Sequence, residues 1–220
     1  KKKIMLETTR GIMINKLMPV EQAVQDVFDG AVIHVGGFFR IGVPERLCAA
    51  LLKKNVKNLT LVTNDVPEGS GHSKLVHNGQ VKKIITSYIG ADKKIYDMWK
   101  QGTVQVVFSP QGTLIERIRA AGGGFGGILV DVGVGTVAEK EYINADGTVD
   151  PSIPDKQKLV INGKTFLLEL PLKADFSLVY GDTADEYGND FCPGVSKKFN
   201  KYIDSAGIVT IAVAVKFLLH

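Results

Sequence analysis

Short apolar runs alternate along the chain with longer segments whose apolar residues recur at helical spacing. The apolar runs have the length and composition of buried strands and lie at 31–35, 59–63, 81–89, 103–109, 127–133, 166–170, 176–180 and 207–213. The segments with helical spacing lie at 20–28, 44–55 and 112–124. Strands joined by helices of this length favour a parallel sheet. The pattern therefore predicts an α/β fold: an open, mainly parallel sheet with helices on both faces.

One polar segment, residues 144–159, contains two prolines and interrupts this alternation. Beyond it, Asn162 and Gly163 separate two apolar runs. The Asn-Gly dipeptide is typical of the two-residue turn of a β-hairpin. We therefore predict a small hairpin excursion from the main sheet.

Composition and charge narrow the class of protein. A chain of 220 residues with 45% hydrophobic and 23% charged residues is typical of one large globular domain. Its formal net charge of +4 is far below the basic density of a nucleic-acid-binding domain. The apolar run at 207–215 is too short to cross a bilayer. Cys48 and Cys192 have no metal-ligand or disulfide spacing. We expect a cytoplasmic protein with reduced thiols, without a metal, that binds neither nucleic acid nor membrane.

Two glycine clusters are candidate binding loops. Residues 36–42, GGFFRIG, follow a strand and precede a helix, so their backbone could meet a ligand at the carboxyl end of the sheet. A tight turn packed under the helix is the alternative. Residues 122–127, GGGFGG, match the letters of a dinucleotide-binding motif. Because this cluster follows a helix and precedes a strand, the reverse of what that motif requires, we exclude nicotinamide binding.

The first cluster belongs to a longer segment, DGAVIHVGGFFRIGVPERL, which resembles the α-subunit signature of family I CoA-transferases. Similar blocks follow in the same order and include LTLVTND, SPQGTLIERIRAAGGGFGG, GVGT, FLLELPLKADFSLV, ADEYGN and KKFN. The resemblance covers most of the chain from about residue 17. It implies a CoA-transferase α-subunit domain at 17–220. Residues 1–16 form an N-terminal extension, a candidate for disorder.

The resemblance implies a ping-pong transfer of CoA between an acyl-CoA and a short-chain acid such as acetate, butyrate or acetoacetate. In that family, a glutamate of the β subunit attacks the thioester and becomes a glutamyl-CoA thioester. The Ser-Glu-Asn-Gly segment that carries this glutamate is absent from the chain. We therefore expect a β subunit as partner, commonly in a heterotetramer, and CoA or acyl-CoA as substrate without a permanently bound cofactor.

The candidate catalytic residues are Asn64 and Gln111, in supporting roles. Asn64 stands where the family's β-subunit motif has its glutamate, and its amide can hydrogen-bond a carboxylate but cannot replace it. The resemblance places Gln111 at the active site, and a polar helix-entry residue is the alternative. Asp65 is expected to form a turn. The candidate substrate- and CoA-binding residues are Gly36, Gly37, Phe38, Gly42, Gly112, Thr113, Gly122, Gly123, Gly124, Phe125, Gly126 and Gly127.

Two other expectations concern single residues. His34 lies where the family has an apolar residue, so we expect its ring to face a polar partner in the interior or an edge of the sheet. Glu116 and Arg119 are three residues apart on a helix, which favours a structural ion pair over catalysis.

Two alternative functions remain. A sugar-phosphate isomerase on a related α/β fold would bind phosphate at the glycine corners and be active as this chain alone. A non-catalytic module that senses an acyl-CoA or a phosphosugar would bind without turnover, even beside a β-like chain. A CoA-transferase α subunit requires its β subunit for transfer.

Overall fold

A computed structural model describes residues 16–203 and 207–218 of the chain. Its strands are β1 (Val32–Val35), β2 (Leu59–Val62), β3 (Val81–Thr86), β4 (Gln105–Phe108), β5 (Ile128–Val130), β6 (Lys158–Ile161), β7 (Lys164–Glu169), β8 (Ala174–Asp185), β9 (Asp190–Phe191) and β10 (Gly207–Leu218). Its α-helices are α1 (Val20–Ala23), α2 (Glu45–Lys54), α3 (Gly71–His77), α4 (Lys93–Lys100), α5 (Gln111–Gly122) and α6 (Lys197–Ile203).

The main sheet has the order β10-β8-β1-β2-β3-β4, and all neighbouring pairs on this path are parallel. The short strand β9 adds an antiparallel partner to β8. Strands β2, β3 and β4 follow β1 in chain order on one side of it. Strand β8 pairs with the other side of β1. Open α/β sheets bind ligands where the strand order reverses in this way, outside the carboxyl ends of the strands.

Helices pack on both faces of the main sheet. Alternate side chains of a strand point to opposite faces, and Ile33 of β1 belongs to a core cluster that includes Leu47 of α2, Leu75 of α3 and Ile95 of α4. The other face buries Val62 and Val179 against α5 and α6, with Leu114, Ile118, Phe199 and Ile203 as the helical contributions. The α/β architecture predicted from the sequence is confirmed.

A second sheet of three antiparallel strands, β5-β7-β6, carries the predicted hairpin. Asn162 and Gly163 have φ values of 51° and 77°, the positive values that a type I′ turn requires. The apolar runs predicted as strands at 127–133 and 166–170 supply β5 and β7 of this second sheet. An apolar run indicates a strand but does not indicate which sheet it joins.

Several element boundaries differ from the sequence pattern. The helix expected at 20–28 ends at Ala23, and the strand expected at 81–89 ends at Thr86. Helices α3 and α4 were not predicted, although each begins after a capping side chain. Ser70 Oγ accepts a hydrogen bond from Ser73 N–H, and Asp92 accepts one from Ile95 N–H, the usual role of such residues before a first helical turn.

The predicted N-terminal extension, residues 1–16, lies outside the described residues except for Lys16. Within the part of the chain that is described, the helices are too short or too polar to cross a membrane.

Candidate active site

The carboxyl ends of strands β2, β3 and β4 bring polar side chains to one edge of the main sheet. Asn64 and Asp65 follow β2, Ser87 follows β3 and Gln111 begins the helix after β4. Because neighbouring parallel strands end at the same edge, these side chains lie together although they are far apart in sequence. We call the set Asn64, Asp65, Ser87 and Gln111 the polar cluster.

Asn64 lies at the centre of the polar cluster. Its Oδ1 accepts a hydrogen bond from Gln111 Nε2 at 2.8 Å and another from Ser87 Oγ at 2.9 Å. Its backbone carbonyl accepts bonds from Thr86 Oγ1 at 2.8 Å and Ser87 N–H at 3.0 Å. This carbonyl also lies 2.7 Å from Ser87 Oγ, whose single hydrogen is shared between the two Asn64 oxygens. Asn64 is 3% exposed, whereas Gln111 lies at the surface. The structure thus brings the two candidate catalytic residues into direct contact.

Asp65 is not a turn former, contrary to the expectation from sequence. Its Oδ2 accepts a hydrogen bond from Asn64 Nδ2 and one from the backbone N–H of Phe39 at 3.0 Å. The carboxyl group therefore joins the loop after β2 to the loop after β1. Asp65 is 2% exposed, and burial raises its pKa despite the opposing effect of the two hydrogen bonds.

These bonds fix the direction of the amide groups. An ionised carboxylate only accepts hydrogen bonds, so Asp65 holds the NH₂ end of Asn64 and leaves its oxygen for Gln111. Gln111 Nε2 donates one hydrogen to that oxygen. The other Nε2 hydrogen and Oε1 of Gln111 are directed to no partner among the residues that the structure describes. They remain available to a substrate.

The first glycine corner packs tightly against α6. A Cβ atom on Gly36 would lie 1.8 Å from Asn200 Oδ1, and one on Gly42 would lie 2.9 Å from Asn200 Nδ2. Asn200 accepts a hydrogen bond from Tyr180 N–H and donates one to the carbonyl of Gly42. Asn200 thus holds the loop against the sheet, a role that could not be predicted from its place in the block KKFN.

Phe39, rather than Phe38, forms the tip of this corner. Phe38 and Ile41 exchange two backbone hydrogen bonds, and Phe38 packs partly into the core beside α5 and α6. Phe39 is 47% exposed and has a φ of 50°, a value that costs free energy in a residue with a side chain. The Asp65 carboxylate holds Phe39 in this conformation. Gly37, with a φ of 121°, also needs the absence of a side chain.

Gly112 and Thr113 follow Gln111 in the first turn of α5 and differ in placement. Pro110 precedes the helix and provides no side-chain cap. A Cβ atom on Gly112 would have no neighbour within 4 Å, so Gly112 borders open space beside Gln111. Thr113 is 4% exposed and lies in the interior.

The second glycine cluster does not join the polar cluster. It begins at the end of α5, and the 12 residues of that helix place its two ends roughly 17 Å apart. Gly127 packs close to Leu168, where a Cβ would lie 2.9 Å from the leucine side chain. Phe125 is 55% exposed. Contact of residues 122–127 with CoA stays a prediction and requires a part of CoA remote from Gln111.

Two buried histidines stand near the site. His72 Nε2 lies 2.9 Å from the backbone oxygen of Asp65, and burial lowers its pKa to about 4. Burial also lowers the pKa of His34 to about 4, weakly opposed by the Leu172 backbone. Neither ring nitrogen of His34 makes a hydrogen bond of normal geometry within the described ranges. The expected edge position was wrong, because β1 lies between β2 and β8, and the expected interior polar partner is limited to the backbone of Leu172.

Metal-ligating chemistry is not apparent at this edge. Across residues 16–203 and 207–218, no group of three or more His, Cys, Asp or Glu side chains is placed to hold a metal ion. Cys48 and Cys192 form no disulfide with each other in the part of the chain that the structure describes, and Cys192 Sγ donates to the carbonyl of Tyr180 at 3.1 Å.

A family model described as "Coenzyme A transferase" matches residues 17–218. The chain belongs to the coenzyme A transferase family. It is 41% identical to the acetoacetyl-CoA:acetate/butyrate CoA transferase alpha subunit of Clostridium acetobutylicum over 92% of this chain and 87% of that protein. It is 40% identical to the acetate CoA-transferase subunit alpha of Escherichia coli over 90% and 84% of the two chains. The resemblance noted in the sequence is confirmed.

Solved structures of CoA-transferases share the fold of this family member. Glutaconate coenzyme A-transferase from Acidaminococcus fermentans aligns with a TM-score of 0.77 at 20% identity, over 91% of this chain and 67% of that chain. An acyl-CoA transferase of Escherichia coli O157:H7, in a thioester complex with CoA, aligns with a TM-score of 0.75 at 22% identity, over 92% and 45% of the two chains.

Proposed function

We propose that this CoA-transferase α subunit acts with a β subunit to move CoA between an acyl-CoA and a short-chain acid of the acetate, butyrate or acetoacetate class. The relatives at 41% and 40% identity are named as α subunits, and both names include acetate. One of the two names also includes butyrate and acetoacetyl-CoA. A cytoplasmic heterotetramer of two α and two β chains is the expected assembly. CoA enters as a substrate and not as a resident cofactor.

The hydrogen-bonded row Gln111–Asn64–Asp65 carries this proposal. It presents an amide donor at the surface of the sheet edge but no carboxylate that could attack a thioester. Asp65 is the acid of the row, and it is buried with Oδ2 already accepting two hydrogen bonds. Asn64 and Gln111 carry neutral amides, which are poor nucleophiles. The row therefore suits the support of a nucleophile that another chain supplies.

The proposed chemistry begins when a glutamate carboxylate of the partner attacks the thioester carbonyl. The carbonyl oxygen becomes an oxyanion, to which the free N–H of Gln111 donates, and the C–S bond then breaks. This leaves an acyl–glutamyl anhydride and CoA thiolate. The thiolate attacks the glutamyl carbonyl, releases the first acid as a carboxylate and forms the glutamyl-CoA thioester. The second acid reverses these steps and leaves as its CoA thioester.

Gly112 and the corner at 36–42 form the remaining wall of the proposed site. We also propose that residues 122–127 contact the extended tail of CoA, because Gly124 and Gly126 have open space where a side chain would be. Thr113 contributes to the packing of α5 and not to contact with substrate.

The test is reconstitution with a candidate CoA-transferase β chain. The purified chain, the purified partner and their complex are each assayed with acetyl-CoA and butyrate or acetoacetate. We expect transfer by the complex alone, and an α₂β₂ mass by light scattering. Full transfer by this chain alone would overturn the proposal. Binding without turnover in the complex would favour the sensing module, and isomerisation of a sugar phosphate by this chain would favour the isomerase.

A further inference from the structure

A cavity of about 280 Å³ lies beside the polar cluster. The ends of β3 and β4 form one side of it, and residues 137–143 form the other. A larger hollow of about 350 Å³ lies between α1 and α2 at the end of α2 remote from the polar cluster. It shares no residue with the polar cluster, so the smaller cavity is the one with a connection to the chemistry.

The cavity touches the polar cluster at two points. Ser87 lines it and also donates a hydrogen bond to Asn64 Oδ1 at 2.9 Å. Pro110 lines it and directly precedes Gln111. A substrate whose reacting carbonyl lies at the free amide hydrogen of Gln111 can therefore extend its other end into this cavity.

The lining favours an uncharged hydrocarbon chain. Its apolar side chains are Phe108, Pro110, Val137, Ala138 and Ile143. Apolar surface of this kind stabilises a buried alkyl group by about 0.8 kcal/mol for each CH₂. The volume of about 280 Å³ is just below the ~300–1,000 Å³ of pockets that bind drug-sized ligands, and so suits a short chain.

The charged residues of the lining disfavour a second carboxylate. Lys140 could attract one, but its Nζ already forms an ion pair with Asp155 at 2.6 Å. Glu141 contributes a carboxylate to the same wall. A dicarboxylate such as succinate would bring its distal negative charge towards Glu141 without an unpaired cation to balance it, and repulsion of this kind is an effective means of specificity.

We propose that this cavity, the acyl cavity, binds the hydrocarbon chain of a short monocarboxylic acyl group and sets the preferred chain length. The acyl cavity rests on the proposed function, because it acquires a role only if the polar cluster holds the reacting carbonyl. Its occupant is part of the acyl group and not of CoA.

The test changes the size of the acyl cavity at Ile143 in the reconstituted complex. Ile143→Phe narrows it, and we expect kcat/KM for butyrate relative to acetate to fall by roughly tenfold or more, the lower range of discrimination per methylene. Ile143→Ala widens it, and we expect hexanoate to gain relative to butyrate. The matched controls are Ile161→Phe and Ile161→Ala, because Ile161 is 44% exposed on β6 and does not line the cavity.

A second variant tests the charge. Glu141→Gln removes the carboxylate with little change of shape, and we expect kcat/KM for succinate to rise relative to butyrate. It also serves if the Ile143 variants fail to fold.

The results distinguish a failure of the acyl cavity from a failure of the proposed function. Transfer with chain-length and succinate ratios unchanged in all three cavity variants would overturn the acyl cavity while leaving the proposed function intact. An unmodified complex that transfers no CoA would overturn the proposed function itself.

Discussion

The side chain of Asn64 lies between the Asp65 carboxyl group and the Gln111 amide. These two partners allow only one orientation of the Asn64 amide. Its NH₂ end donates to Asp65 and its oxygen accepts from Gln111 and Ser87. If Asn64 turned over, its NH₂ group would face the donors of Gln111 and Ser87, and its oxygen would face the Asp65 carboxylate. The hydrogen bond that Asp65 Oδ2 accepts from Asn64 thus determines which atoms of Gln111 point to the substrate.

Removal of the Gln111 amide tests its role as a donor. In the reconstituted complex, we expect Gln111→Ala to lower kcat by roughly 100-fold, as loss of one oxyanion donor does, with a smaller change in KM. Asn64→Ala should act in the same direction because it releases Gln111. Gln101→Ala, at an exposed position after α4, is the control and should match the unmodified enzyme in steady-state assays. Normal kcat in Gln111→Ala would contradict the role.

We expect CoA transfer by the reconstituted complex to depend on pH through Asp65. Its pKa is raised by burial, so its protonation begins at a higher pH than for an ordinary aspartate. As pH falls through that pKa, the carboxylate loses acceptor capacity and kcat should fall.

Asp65→Asn should lower kcat by about 10- to 100-fold, the value of a hydrogen bond to a charged group, and should remove this acidic limb from the pH profile. A profile with the same acidic limb in Asp65→Asn would show that another group is responsible. Circular dichroism at each pH verifies that the variant is folded.

His34 links stability to pH with a definite sign. Its pKa is about 4 in the folded chain against 6.5 in the unfolded chain, so the unfolded chain binds more protons between these values. The free energy of unfolding should therefore fall as pH falls from 6.5 to 4, by up to about 3 kcal/mol for this residue. His72 has a similar pKa and adds a similar dependence.

We expect His34→Leu to raise the free energy of unfolding by roughly 1 kcal/mol at pH 7.5, because it replaces a buried polar ring without good hydrogen bonds by an apolar side chain. It should also reduce the loss of stability on acidification by about half, since His72 remains. Urea denaturation at pH 7.5 and 5.5 measures both effects. Lower stability of His34→Leu at pH 7.5 would contradict this account of His34.

Between elements, a buried group of charges attaches the three-stranded sheet to the main body. Glu169 at the end of β7 pairs with Lys156 at 2.7 Å and with Arg117 of α5 at 3.3 Å. Arg117 Nε also donates to the carbonyl of Leu170. The three charged side chains are each less than a tenth exposed. Since residues 137–143 lie between β5 and β6 of this sheet, the same attachment holds one wall of the acyl cavity.

Removal of the Glu169 carboxylate should be costly. Glu169→Ala leaves two buried cations without their partner, and we expect a loss of about 3–5 kcal/mol in the free energy of unfolding. Hydrogen exchange should quicken first in β5, β6 and β7. The control is Glu116→Ala, which breaks the exposed pair of Glu116 and Arg119 and should leave the urea midpoint almost unchanged. Equal effects of the two variants would contradict the structural role of Glu169.

The sequence predicted several strands of the main sheet and helix α2 closely. Strands β1, β2 and β4 lie within their predicted ranges, and α2 differs from its predicted range by one residue at each end. Helices α3 and α4 were missed because neither has a long apolar stripe, and their capping residues, Ser70 and Asp92, are common in loops as well. The exposed pair of Glu116 and Arg119 was predicted from local spacing alone, and it is confirmed.

For the whole molecule, the family resemblance predicted the fold and singled out Asn64 and Gln111 as candidate site residues, but it did not predict the contact that joins them. The bond from Gln111 to Asn64 spans 47 positions, and the bond from Phe39 to Asp65 spans 26. Local patterns carry no information on such pairs, because strand order decides them. For the same reason, the packing of Asn200 against Gly36 and the separation of residues 122–127 from Gln111 emerged only from the structure.

The central claim for the whole molecule is a division of labour. This chain supplies oriented amides and the acyl cavity, and the partner supplies the carboxylate that is acylated. Among the described residues, Asp65 and Glu141 are the carboxylates placed at the polar cluster and at the acyl cavity. Asp65 is buried with Oδ2 doubly hydrogen-bonded, and Glu141 lines the acyl cavity.

Mass spectrometry of the separated chains tests this claim most directly. The reconstituted complex is incubated with acetyl-CoA, without an added acceptor acid, and denatured in acid to preserve thioesters. We expect the mass of the partner chain to rise by one CoA moiety less water, on a glutamate, while this chain keeps its unmodified mass. A CoA adduct on this chain, at Asp65, Glu141 or any other residue, would contradict the claim.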